Sequence, residues 1–77
     1  MSAYNTEKRK ALDENLPLAH RSSHMRSCVN KVANTLGISR VELGQKAEEH
    51  RQINLNNPAN NVELIAAIFY LDELRKL

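Results

Sequence analysis

A single cysteine, Cys28, stands among the 77 residues, so no disulfide can close within the chain and a reducing compartment suits it. Other scarcities exclude more. Three aromatics (Tyr4, Phe69, Tyr70) and no tryptophan leave little platform for stacking the bases of single-stranded nucleic acid. Two glycines, Gly37 and Gly44, cannot make a glycine-rich phosphate loop. The longest wholly apolar run, Leu64 to Leu71, falls far short of the roughly 18 to 20 residues that span a bilayer, so no membrane partner is expected. The opening Met1-Ser2-Ala3-Tyr4-Asn5 carries no apolar stretch of the secretory kind, and an intracellular location, cytoplasm or nucleus, is expected. No paired carboxylates and no nucleophile with a base and an orienting acid are spaced for catalysis. The chain is expected to be no enzyme and to need no cofactor.

What is present suits one small globular domain. Hydrophobic residues make up 42% of the chain, too many for a disordered one. A core at this length is marginal, so packing is economical or a partner helps. Net charge is only +2 but unevenly spread. Residues 1–31 hold six bases against three acids, and residues 32–77 five against six. The basic half is the N-terminal one, where phosphate would be met.

The patterning predicts an all-α fold: a basic N-terminal arm over 1–21, either a short helix capped by Thr6 or a tail partly docked through Leu12, Leu16 and Leu18, then a three-helix bundle over 22–77. Met25, Cys28, Val29, Val32, Ala33 and Leu36 follow the i, i+3, i+4, i+7 template, so a helix runs from Ser22 or Ser23 to Leu36. Gly37 supplies the left-handed stop. Ser39 and Glu42 form a capping box for a second helix to about Arg51, which buries Leu43, Ala47 and either His50 or Ile53. Gly44 inside it costs on the order of 1 kcal/mol against alanine, which suggests a crossing helix or a DNA backbone close by. Asn54 to Asn61 reads as a loop. Asn60 and Glu63 open a last helix to about Lys76, apolar on every side from Leu64 to Leu71 and so expected at the centre, with Leu74 and Leu77 inward at its tail. Leu36, Leu43, Ile65 and Ile68 are expected among the most buried side chains.

The stretch Val32-Ala33-Asn34-Thr35-Leu36-Gly37-Ile38-Ser39, followed by Leu43, resembles the helix-turn-helix of bacterial repressors. It has a small residue at the crossing, glycine at the turn and an aliphatic anchor on the second helix. The resemblance implies that the second helix enters a major groove, with Ser39, Arg40, Gly44 and Gln45 toward double-stranded DNA. Lys46 departs from the pattern, which wants an apolar residue there. A plain helical hairpin needs the same Ala33 and Gly37, so both readings stand.

A longer stretch, from Val29 to Arg40, then Ala47-Glu48-Glu49, then Val62 to Tyr70, resembles the cyclin-like repeat of the transcription factor IIB family and its archaeal counterparts. The likeness is partial, with a register slip after Arg40 and asparagine and alanine where Gly-Arg-Ser commonly precedes the central helix. It implies a truncated or divergent three-helix relative acting in transcription.

The expected contact surface for duplex DNA combines Arg26 and Lys31 on the first helix with Ser39, Arg40, Gln45 and Lys46 at the second. Lys8, Arg9 and Lys10 on the arm add sequence-independent attraction, or are a solvated tail. The rival is a protein–protein module in which the exposed flank of the last helix and its Leu74/Leu77 tail dock on transcription machinery or on a second copy. His20, His24 and Cys28, at i, i+4, i+8, could hold zinc if His50 joined them; more simply, Cys28 is core and the imidazoles are surface groups, so no metal is expected.

Overall fold

A computed structural model of the protein describes residues 3–76. Leu77, expected to face inward, lies outside the described residues. Helices α1 (Tyr4–Ala11), α2 (Leu18–Leu36), α3 (Arg40–Arg51) and α4 (Asn61–Arg75) pack around one core, and no strand occurs among the described residues. The fold is a small all-α bundle.

The difference from expectation lies at the N-terminus, where residues 4–11 form a packed helix and not an arm. Tyr4, Glu7 and Ala11 fall on one face of α1 and are buried. The Tyr4 hydroxyl donates to Asp72 Oδ1 at 2.8 Å, and Lys8 Nζ donates to Asp72 Oδ2 at 2.6 Å. The Arg75 guanidinium sits 3.9 Å from the centre of the Tyr4 ring. These contacts fasten α1 to the far end of α4. The short helix offered for this segment is present, but apolar periodicity did not show that it packs, because its buried face is a tyrosine, a glutamate and an alanine. Thr6 does not cap it; Ala3 occupies that position.

Helix α2 starts earlier than expected, at Leu18, directly behind Pro17, whose fixed φ suits entry to a helix. Its first turn buries Arg21, only 5% exposed. Arg21 Nε donates to the Ala11 carbonyl at 2.8 Å and Nη2 to Asn61 Oδ1 at 2.5 Å. One guanidinium therefore closes the end of α1 and holds the start of α4. Farther along, Met25, Cys28, Val29, Val32 and Ala33 form the expected stripe.

Gly37 takes φ 72°, and the amides of Gly37 and Ile38 bond back to Asn34 and Ala33 at 3.2 and 3.0 Å, the bonding of a Schellman stop. Ile38 packs against the core there, while Leu36 stays 41% exposed, contrary to expectation. Ser39 Oγ accepts the Glu42 amide at 3.0 Å and Asn60 Oδ1 accepts the Glu63 amide at 3.0 Å, so both N-caps form. The reciprocal arm of each box is absent among the described residues: Glu63 accepts weakly from the Ala59 amide at 3.4 Å, and no bond to Glu42's carboxylate forms. Helix α3 buries only Leu43 and Ala47 and stops at Gln52, which adopts a left-handed φ of 56° without being glycine. The following loop is ordered from within: Asn54 Oδ1 accepts the amides of Asn56 and Asn57 at 2.8 and 3.0 Å, Leu55 is buried, and Arg26 Nη1 donates to the Asn56 carbonyl at 3.1 Å.

Candidate interaction surfaces

Helix α4 turns Leu64, Ala67, Ile68, Tyr70 and Leu71 into the core. With 3.6 residues per turn, the direction opposite that face is taken by Val62, Ala66, Phe69 and Glu73, with Ile65 on the flank. Val62 is 75% exposed and Phe69 59%. The helix that looked central from its sequence therefore keeps Val62 and Phe69 open to solvent on its outer side, where Arg51 of α3 reaches only Glu73 and the Tyr70 ring. Ile65, expected at the core, is half-buried on the edge of this stripe. Isolated exposed apolar residues are ordinary, but here two stand two turns apart on one line of one helix, with the half-buried Ala66 between them.

Beside the stripe, between the end of α3 and the start of α4, lies a depression of about 220 Å³ lined by Ile53, Val62, Ala66, Arg51 and Asn54 among others. Arg51 forms its charged rim: Nη2 donates to Glu73 Oε2 at 2.6 Å, and the guanidinium stands 5.7 Å from the Tyr70 ring centre. A knob, Phe69, and a hollow floored by Ala66 thus neighbour one another on one face. Sequence reasoning placed a docking flank on this helix but not the hollow, whose far wall comes from the chain after α3.

The expected DNA-facing residues are not gathered on one surface. Arg40, Gly44 and Gln45 share a half-open cleft of about 340 Å³ with Val41, Glu48 and the asparagine loop. Ser39 is occupied as the α3 cap. The α3 face pointing directly away from Leu43 and Ala47 consists of Val41, Gln45 and Glu49, with Glu42 and Glu48 to either side and Val41 67% exposed, while Arg40 and Lys46 fall on opposite flanks. Lys8 is engaged with Asp72, Arg26 with the loop carbonyl, and Lys31 is half-buried on α2; Arg9 and Lys10 are exposed on α1. Nothing crosses at Gly44, where an added Cβ would meet no atom within 4 Å, so the expectation of a crossing helix fails.

The imidazoles and the thiol do not converge either. His24 Nδ1 lies 2.6 Å from Glu7 Oε2, His20 and His50 are exposed, and Cys28 is fully buried with Sγ 4.0 Å from the Tyr4 carbonyl. Among the described residues no three metal-ligating side chains cluster. Burial pushes the Cys28 thiol up to about 12, helped by the negative charges of Glu7 and Asp72, so it is a core group and not a nucleophile. Burial also raises the Tyr4 phenol, and its hydrogen bond to Asp72 raises it further. Burial pushes the Asp72 carboxyl up, but the hydrogen bonds from Lys8 and Tyr4, with the Lys8 and Arg75 charges, outweigh it and leave the group below its ordinary value. No helix among the described residues is long and apolar enough to cross a membrane.

Comparisons with protein families, with curated proteins and with solved structures found no match to this chain.

Proposed function

We propose that this protein is a helical interaction module whose working surface is the outer stripe of α4. The observation that carries this is Val62 and Phe69 at 75% and 59% exposure, on the face of α4 opposite the core and along one line with Ala66. A valine and a phenyl ring held in water either side of a small residue on a rigid helix are a recurring docking surface for another helix. The small bundle keeps little else to bury them against. Any role in transcription rests on the residue resemblances alone.

The test is a photo-reactive phenylalanine analogue placed at position 69 or, as control, at position 49 on the outer face of α3, in cells that make the protein. The reading expects a cross-link to protein from position 69 and none from position 49. Absence of any protein adduct at 69 overturns it.

A second reading, duplex-DNA binding through α3, is favoured by Arg40, Gln45 and Lys46 being exposed just after the left-handed Gly37 turn. Against it, Glu42 and Glu49 on one side of Gln45 and Glu48 on the other would meet phosphate with like charge. Salt-sensitive duplex binding that weakens in Arg40→Ala and Lys46→Ala, with a slope shallower by about one unit each, would establish the DNA reading. Binding that is missing in wild type removes it.

A further inference from the structure

We infer that the occupant of the α4 stripe is a second copy of this chain, lying antiparallel so that each Phe69 enters the other's hollow beside Ala66. This rests on the interaction-module reading and names its partner. The stripe is self-complementary. Its bulky projection, Phe69, stands one turn from Ala66, which with Ile53 and Val62 forms the apolar wall of a hollow of about 220 Å³ closed on its other sides by Arg51, Gln52, Asn54 and Glu63. An apolar cavity of about 150 Å³ already holds benzene, so a phenyl ring fits. A two-fold interface requires that residue i meet j while j meets i, and a knob and hollow on one face meet that requirement together.

Direction follows from size and charge. In a parallel pair, Phe69 would meet Phe69 and Glu73 would meet Glu73, leaving both hollows empty and two carboxylates opposed. Turned antiparallel about a point between Ile65 and Ala66, Val62 faces the other copy's Phe69. Ala66, with only a methyl group, then lets the helices approach at the centre. Each Glu73, its charge held by Arg51 of the same chain, is carried away from its counterpart, and the two helix dipoles oppose. Arg51, on the rim, is placed to stack on the incoming ring. A net charge of only +2 sets little repulsion against pairing.

Sedimentation equilibrium of the purified full chain at micromolar concentrations tests this, with folding followed by circular dichroism. Wild type is expected to dimerise, and Phe69→Asp to raise the dimer dissociation constant by about 30-fold or more while staying helical. Orientation is read by oxidising single-cysteine additions. Ala66→Cys should give a covalent dimer, because the two positions adjoin across the axis. Val62→Cys should not, because its copies stand about 10 Å apart along the helices, beyond disulfide reach. A monomeric wild type, or a dimer indifferent to Phe69→Asp, overturns self-pairing; cross-linking of Val62→Cys in preference to Ala66→Cys overturns the antiparallel register. If wild type is monomeric while position 69 still cross-links to a different protein in cells, self-pairing alone falls. If position 69 cross-links to nothing, the interaction reading falls with it.

Discussion

Helices α3 and α4 each give one face to the same core, and they differ in what the other face carries. Away from Leu43 and Ala47, α3 offers Gln45, Glu49 and Glu42 to water with a single aliphatic residue, Val41, among them; away from Leu64, Ile68 and Leu71, α4 offers Val62 and Phe69 with the half-buried Ala66 between them. One valine set among charges and an amide needs no cover. An outer face of aliphatic and aromatic groups loses free energy in water in proportion to its area, so a partner that covers it is favoured. The contrast shifts the functional weight from the turn after α2, where the repressor-like motif drew it, to the back of the last helix. It also means that α4 is apolar all round for two separate reasons, one on each side.

The sharpest way to break the comparison is to substitute neighbours on α4. Ile68 is fully buried and Phe69 is largely exposed. Ile68→Ala should cost about 2–5 kcal/mol of unfolding free energy, from lost transfer energy plus a cavity. Phe69→Ala, measured where the chain is monomeric, should stay within about 0.5 kcal/mol. Urea unfolding of both variants checks this. Comparable losses would mean that Phe69 packs within its own chain and that α4 has no free face.

The next effect concerns Arg21, which anchors α4 from behind. Replacing it with methionine keeps much of the stem but leaves the Ala11 carbonyl and Asn61 amide without their donor. A loss of about 1.5–3 kcal/mol is expected from these charge-assisted bonds, read by thermal or urea unfolding. If Arg21→Met melts like wild type, the guanidinium does not hold α1 and α4 together.

Smaller again is the Asp72 latch between α1 and α4. Its carboxyl is held below the ordinary value in the fold, so the unfolded chain takes up the proton first as pH falls. The contribution is complete above about pH 4 and is lost as pH drops through the folded value. Asp72→Asn should cost about 1 kcal/mol at neutral pH and flatten that acid limb. On the alkaline side the sign is opposite. Cys28 and Tyr4 are raised in the fold, so unfolding is favoured as pH climbs past about 9, where the unfolded thiol ionises and the buried one does not. Cys28→Ala should delay the onset of that loss, followed by circular dichroism against pH.

Much of the core was legible because α2 writes it in apolar letters: Met25, Cys28, Val29, Val32 and Ala33 are buried as the period requires. Leu36 broke the pattern because the Gly37 stop turns the chain and lets Ile38 fill the place below it. Helix α1 was illegible as core because Tyr4, Glu7 and Ala11 carry its burial through hydrogen bonds and a cation over a ring. Arg21 was illegible for the same reason: a guanidinium reads as solvated until its acceptors are brought to it from α1 and α4. In the candidate site, the apolar composition of the α4 stripe could be read and its exposure could not, since periodicity counts apolar faces without counting the layers available to cover them. The hollow beside Ala66 needs Arg51 and Ile53 brought alongside α4, which no local pattern encodes.

The two glycines sharpen the contrast between α3 and α4 with the smallest effects and opposite signs. Gly37 sits at φ 72°, where a side chain is strained whatever space surrounds it, so Gly37→Ala should destabilise by about 1 kcal/mol. Gly44 lies inside α3 with no atom within 4 Å of an added Cβ, and an alanine there removes only the entropic penalty of glycine in a helix. Gly44→Ala should therefore stabilise by about 0.5–1 kcal/mol by thermal unfolding. The same variant probes the cleft shared by Arg40 and Gln45, since a partner or DNA backbone packed closely on Gly44 would be pushed away by the methyl group. If α4 alone carries association, Gly44→Ala raises the melting temperature and leaves the dimer constant as it was. A stabilised chain that binds its partner more weakly would instead place a second contact on α3, and the division of labour between the two helices would have to be redrawn.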